Sequence, residues 1–305
     1  MWQRLVVYIA CFSAMFFWSL SFIWYKDIYP HLTPFVTIFS RLVISSVLIF
    51  ITAFVFRSLQ RIEKNDYKNI LLLAFFEPFM YFMGESLGMQ RVSPTTGSVI
   101  ISIVPLLVPV AAYFYLKERL MIKNVIGIVI SCSGVVLVVL DRNFEFSASL
   151  SGVMLMGLSV IAATFYSVIL KQMADKYNLL TLIGWQNTMG AVMFVPLVFI
   201  FEPNGLSPEK FTPQAMIPLF KLAVFASSLA FMLYTFSVKK LGAVRANIFT
   251  NLIPVITAQL SMYYLHEKLL FHNLVGIGLV IGGLLLAQIK PLKYRNRLLQ
   301  MSNNR

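Results

Sequence analysis

The sequence predicts an all-α integral membrane protein, ten transmembrane helices built as two inverted five-helix repeats. Three observations lead there. Of 305 residues, 59% are hydrophobic and only 12% are charged, about half the charged share of an ordinary soluble domain. Apolar runs of about 18 to 25 residues recur almost end to end, the length a helix needs to cross about 30 Å of hydrocarbon. The second half of the chain also repeats the first at an offset of 149 residues.

Lipid offers the backbone no hydrogen-bond partners, so a spanning segment is a helix or part of a closed barrel. The runs lack the period-two alternation of barrel strands, which selects helices. The first repeat, residues 1–145, is expected to hold spans at 5–25, 34–56, 69–90, 94–116 and 124–140. The second, residues 150–290, is expected to hold spans at 151–171, 179–201, 214–238, 243–265 and 272–289. A basic tail, residues 291–305, follows. The first run is longer than a signal-peptide core, and aromatic residues from Phe16 to Tyr25 crowd its second half, so it reads as a retained helix. Cys11 and Cys132 both fall inside spans. That leaves no disulfide framework and no metal pattern, and both read as small packing residues.

A net charge of +13 would suit a nucleic-acid partner, but its distribution excludes one. With a cytoplasmic N-terminus, 18 of the 25 Lys and Arg residues fall on the cytoplasmic side and five on the other, with Arg41 and Lys221 inside spans. That bias follows the positive-inside rule. It predicts both termini in the cytoplasm and sets the basic tail (Lys290, Lys293, Arg295, Arg297) against anionic lipid headgroups.

The repeat carries ten identities over 33 ungapped positions. Pro105 matches Pro254, Glu118 matches Glu267, Asn124 matches Asn273, Gly127 matches Gly276 and Gly134 matches Gly283. Matching leucines arise readily between apolar helices; Pro, Glu, Asn and two Gly in register do not. Five spans per half is an odd number, so the second half enters the membrane from the opposite side. Inverted repeats recur in secondary transporters, with the site near the midplane between the halves.

The pattern that closes each half reads Pro105, Leu116-Lys117-Glu118-Arg119-Leu120, Asn124, Gly127, Gly134, and again Pro254, Leu265-His266-Glu267-Lys268-Leu269, Asn273, Gly276, Gly283. With ten helices in two halves, it resembles the EamA family of the drug/metabolite transporter superfamily over nearly the whole chain. The resemblance implies a central cavity lined mainly by the first, third, fourth, sixth, eighth and ninth helices. It also implies export or exchange of amino acids or similar small metabolites in a bacterial cytoplasmic (inner) membrane, and it leaves other solutes such as nucleosides or sugars open.

Glu118 and Glu267 lie at helix ends, where a carboxylate accepts from exposed N–H groups of the next helix; a structural role is expected. Gly127, Ser131 and Gly134 on the fifth span, with Gly278 and Gly282 on the tenth, read as close-packing surfaces. Glu77 and Glu85 differ, because a carboxylate inside a bilayer normally faces a cavity or an ion path. Glu77, Tyr81 and Glu85 recur every four residues and share one helix face, drifting only about 80°. Pro78 is expected to kink this helix. Arg41 and Glu85 lie at similar depths, so they are expected to pair directly or through water. The pair is either a structural clamp or a gate and zwitterion site, and a glutamate here offers protons a coupling role. Trp18, Tyr166, Trp185 and Tyr234 are candidate aromatic walls, and Asn251, a turn before Pro254, is the candidate cavity amide. Gln186, Asn187, Asn247 and Gln259 are expected to satisfy one another between helices.

The sequence holds no HExxH, no paired aspartates in a helix, no GxSxG near a histidine and no Walker loop. The expected function is therefore secondary transport of a small-molecule substrate, without cofactor or metal. A non-transport scaffold or receptor is the competing class.

Overall fold

The computed structural model describes residues 2–116, 122–140 and 148–288. The first half comprises α1 (Trp2–Ile28), α2 (Pro34–Val55), α3 (Tyr67–Ala74, Phe75–Met80, Tyr81–Met89), α4 (Pro94–Ile101, Val104–Leu116) and α5 (Ile122–Val139). The second comprises α6 (Leu150–Lys176), α7 (Leu179–Phe201), α8 (Pro213–Lys221, Leu222–Ala230, Phe231–Leu241), α9 (Ala243–Asn247, Ile248–Asn251, Leu252–Tyr264) and α10 (Phe271–Gln288). Seven of these ten helices carry an apolar window long enough to cross a membrane. α5 and α10 have 18 residues each, and α9 is assembled from three pieces. Large apolar side chains point outward, among them Phe54, Phe114 and Phe271, as a lipid-facing surface requires.

Local chemistry sets the boundaries. α2 and α4 begin with Pro at the first turn, where a missing N–H leaves no bond unmade. Ser93 and Asn178 accept from the amides of Thr96 and Thr181 and so cap α4 and α7. Gly242, at φ +85°, makes the tight passage from α8 to α9, a conformation open to glycine without penalty. α1 and α6 run past the spans read from sequence, to Ile28 and Lys176, because their lysines find partners instead of ending the helix. Lys26 Nζ donates to the carbonyls of Met89 and Val92 at 2.5 and 2.9 Å. Lys171 bonds Asp175 one turn on, at 2.7 Å.

The inversion shows in two reciprocal contacts. α5 and α10 cross antiparallel along their glycines. A Cβ on Gly134 would lie 2.5 Å from the Gly276 carbonyl, and one on Gly283 would lie 2.6 Å from the Gly127 carbonyl. Those four positions are the two matched glycine pairs of the repeat, exchanged. Ser131 Oγ donates to the Val280 carbonyl at 3.0 Å near the centre of the crossing. α2 and α7 likewise cap each other. Just after α7, the Glu202 carboxylate accepts from the amides of Phe35 and Val36 and from Thr33 Oγ1 (3.2, 2.8 and 2.6 Å) at the start of α2. At the opposite face, Gln60 beyond α2 accepts from the Asn178 amide at 2.6 Å and donates its own to Thr181 Oγ1 at 2.9 Å. Asn178 Nδ2 also bonds the Ser58 carbonyl.

Two packing expectations are corrected. Gly278 and Gly282 have nothing within 4 Å of a built Cβ and take no part in the crossing; Gly276 and Gly283 do. Cys132 is exposed, while Cys11 is buried.

Gly134→Ala and Gly283→Ala should each destabilise the bundle by about 1–3 kcal/mol, because the added methyl meets backbone that cannot retreat. Gly278→Ala should leave the melting temperature in detergent unchanged. Melting curves of the three variants, read against wild type, check this.

Candidate functional site

Of the repeated motif residues, Glu267 and Asn273 lie at a bundle end and hold structure. Glu267 accepts from Thr95 Oγ1 of α4 at 2.8 Å and from Ser261 Oγ of α9. Its partners are hydroxyls, where the sequence led us to expect helix-start amides. Asn273 Oδ1 accepts from the Leu270 amide at 2.9 Å, and its Nδ2 donates to the Val138 carbonyl at 3.1 Å, tying α10 to the end of α5. Pro105 and Pro254 each follow an interruption, a turn at Ser102–Ile103 in α4 and the 3-10 stretch Ile248–Asn251 in α9. Glu118 lies outside the described residues.

Between the halves lies a central cavity of about 50 Å³. Its walls come from equivalent positions of the two repeats. α1 contributes Trp18, Ser21 and Phe22, and α6 contributes Ala163, Tyr166 and Ser167, the same three places at an offset of 145. Ile101 and Val104 of α4 correspond to Thr250 and Ile253 of α9 at an offset of 149, as Phe82 and Glu85 of α3 correspond to Phe231 and Tyr234 of α8. α2 adds Arg41. The lining helices are thus the six that the resemblance implied, with α2 as a seventh.

α8 carries a π-helical stretch, Leu222–Ala230, a feature common at functional sites, and α3 is kinked within Phe75–Met80. In α3 the cause is local. Pro78 pushes the preceding residue towards extended backbone, and Glu77 adopts φ −147°, ψ 116°. Gly190 of α7 makes room for the displaced ring: a Cβ there would lie 2.2 Å from Pro78 Cγ. The helical face expected to carry Glu77, Tyr81 and Glu85 is therefore broken at Glu77, yet all three line the cavity.

The charged groups divide into a bonded chain and an isolated carboxylate. Arg41, 2% exposed, donates through Nη1 to Tyr25 Oη at 2.6 Å and through Nε to Ser227 Oγ at 2.7 Å. Its guanidinium lies 4.3 Å from the ring centroid of Phe82, a favourable cation–π contact. Tyr25 in turn donates to Glu85 Oε2 at 2.9 Å, and Tyr81 donates to Glu85 Oε1 at 3.0 Å. Arg41 and Glu85 make no direct ion pair; the Tyr25 hydroxyl bridges them. Glu77 is 6% exposed and makes no hydrogen bond or ion pair with any described residue.

Other expectations divide. Trp18, Tyr166 and Tyr234 stand in the wall, with Trp18 Nε1 donating to the Ala226 carbonyl at 3.3 Å. Trp185 does not: it is 36% exposed and packs edge-on against Phe50 at the outer surface. Asn251 is buried beside the cavity without lining it, and neither its amide nitrogen nor its oxygen has a hydrogen-bond partner among the described residues. The lining amide is Asn247, which accepts from Tyr234 Oη at 3.0 Å. The buried amides bond hydroxyls rather than each other. Asn187 donates to Ser45 Oγ at 2.8 Å, and Gln186 accepts from Tyr166 Oη at 3.3 Å. Tyr25, Ser227 and Phe82 were not singled out as site residues from the sequence, because each acts through contacts between distant segments.

Replacing Tyr25 by Phe leaves Arg41 and Glu85 each short of a partner in a buried site, at a cost of about 1–3 kcal/mol. Combined with Arg41→Leu, it should cost less than the sum of the single changes by about 1 kcal/mol. Denaturant titration of the cycle checks this; strict additivity would mean that Tyr25 does not couple the two.

The matches to other proteins agree with this geometry. The family model of the EamA-like transporter family matches residues 5–140 and again 150–288. An uncharacterized transporter of Archaeoglobus fulgidus is 26% identical over 268 residues, covering 88% of this chain and 93% of its own. The uncharacterized transporter YetK of Bacillus subtilis is 25% identical over 292 residues, covering 94% and 88%. A WAT1-related chloroplastic protein of Arabidopsis thaliana is 26% identical over 280 residues, covering 88% and 66%. A solved crystal structure shares the fold at a TM-score of 0.67 with 16% identity, over 92% of this chain and 96% of that one. With the family model matching both halves, the chain belongs to the EamA-like transporter family.

Proposed function

We propose that this membrane protein is a secondary transporter that carries a small polar metabolite, amino-acid-like and bearing an amino group, by alternating access. The observation that carries the reading is the charged cavity walled by equivalent positions of both inverted halves. At about 50 Å³ the cavity is smaller than such a metabolite, so entry requires the helices to part. Inverted repeats supply the route, because exchanging the conformations of the two halves turns an opening on one face into an opening on the other.

The chain then sits in the cytoplasmic membrane of a bacterium with both termini inside, as its lysines and arginines favour. Its net flux is export or exchange. The Arg41–Tyr25–Glu85 chain, on the face opposite the N-terminus, is the proposed outer gate. Protons are the proposed coupling ion, since the cavity holds carboxylates whose charge a proton can balance.

Counterflow in proteoliposomes tests the reading, with labelled amino acids and amines beside nucleosides and sugars. We expect saturable exchange of the amino-bearing class and at least a tenfold loss in Glu85→Gln. Exchange confined to nucleosides or sugars would refute the substrate class, and absence of any exchange would refute transport.

A further inference from the structure

We propose that the cavity takes its cargo as an organic cation, an ammonium whose charge is met by Glu77 and whose apolar body packs among the rings around it. The inference rests on the transport reading above and narrows its amino-bearing class to cargo without a carboxylate.

The charge balance of the lining carries the argument. Arg41 is the one cation among the described lining residues, against the carboxylates of Glu77 and Glu85. Arg41 and Glu85 are committed to each other through Tyr25, and each has a further partner, Ser227 for one and Tyr81 for the other. Glu77 remains, nine-tenths buried, lining the cavity and bonded to no described residue. An ionised carboxylate at this depth is costly unless it takes up a proton or a counter-charge arrives. A zwitterion brings one positive group for Glu77 but also a carboxylate, for which the lining offers no uncommitted cation. A monocation balances the site.

The rest of the wall suits the same guest. Trp18 lies 5.2 Å from Phe231 and 5.1 Å from Tyr234 between ring centroids, and Tyr166 lies 6.3 Å from Phe231. These four rings form one continuous aromatic surface in the cavity that also holds Glu77. Aromatic faces attract ammonium groups, most strongly where water is excluded. A carboxylate opposite clustered rings is the arrangement that recognises substituted ammonium ions.

Three probes of nearly one shape separate the cases: choline (cation), glycine betaine (zwitterion) and 3,3-dimethylbutan-1-ol (neutral). Full-length protein in detergent should melt at least about 2 °C higher with saturating choline, and neither other probe should shift it. In proteoliposomes choline should exchange at least tenfold faster than betaine. Glu77→Gln should abolish both choline effects, and Glu77→Asp should retain part of each. Without ligand, Glu77→Gln should melt no lower than wild type, because it removes a buried charge that has no partner; a purely structural Glu77 predicts a lower melting point. Equal or better binding of betaine, or choline effects that survive Glu77→Gln, would overturn the proposal. So would exchange of amino acids or other solutes in a protein that neither binds nor moves choline, which would leave the transport reading intact. Choline binding abolished by Glu77→Gln, without flux of any solute, would support the cation site and refute transport.

Discussion

A guanidinium that cannot give up its charge sits at the centre of this bundle, and much of the structure is arranged around it. Arg41 is the largest fully buried side chain among the described residues. An unpaired charge in such surroundings costs several kcal/mol, so partners must be brought to it. They come from three other helices. α1 supplies Tyr25, α3 supplies Glu85 and the face of Phe82, and α8 supplies Ser227. A second layer holds those partners in turn: Asn187 of α7 donates to Ser45 and to the Ser227 carbonyl, and Ser45 and Ser228 share a hydrogen bond. The position of one arginine therefore constrains five helices relative to one another, on both sides of the boundary between the repeats.

Around that centre, symmetry and chemistry follow different rules. The contacts that repeat with the inversion are mechanical: the α5–α10 glycine crossing and the reciprocal capping of α2 and α7. They use backbone and small or capping side chains, which work equally well in either direction through the membrane. The charged lining does not repeat. At the equivalent wall positions, Glu85 is matched by Tyr234 and Ile101 by Thr250, and the cavity's charged residues all come from the first half. The frame is twofold, while its contents are one-sided.

This division explains what the sequence revealed. The ten helices, their order and their inversion were legible because apolar length and a register of Pro, Glu, Asn and Gly are local properties. The cavity helices were legible through resemblance, and Trp18, Glu77, Tyr81, Glu85 and Tyr166 through polarity or aromaticity inside an apolar run. Trp185 and Asn251 were misplaced for a single reason: composition says that a residue is unusual in a span, not which side of the helix it occupies. Trp185 faces outward and Asn251 turns beside the wall within a 3-10 stretch whose rotation the 100° rule does not follow. Tyr25 escaped notice as a relay because its role depends on bringing together Arg41 and Glu85, which lie 16 and 60 residues away.

The break in α3 shows how a sequence feature reaches the site through several steps. Pro78 cannot donate a helical hydrogen bond and disfavours helical backbone in the residue before it. Glu77 is therefore held in extended backbone, outside the regular turn that would have laid it along the face of Tyr81 and Glu85. The displaced proline ring needs space, which Gly190 provides by having no side chain. Tyr81 and Glu85, still on regular helix, bond each other one turn apart. Glu77, thrown off that register, bonds neither and lines the cavity alone. The isolation of this carboxylate is thus a consequence of backbone geometry: the same proline that breaks the helix separates the one acid with no partner from the acid bonded to Tyr25 and Tyr81. A regular helix would leave both glutamates on one face, each within reach of the tyrosine between them. Because the break is accommodated by Gly190 of α7 while the bonded acid is held by Tyr25 of α1, the two carboxylates of one helix answer to different neighbours.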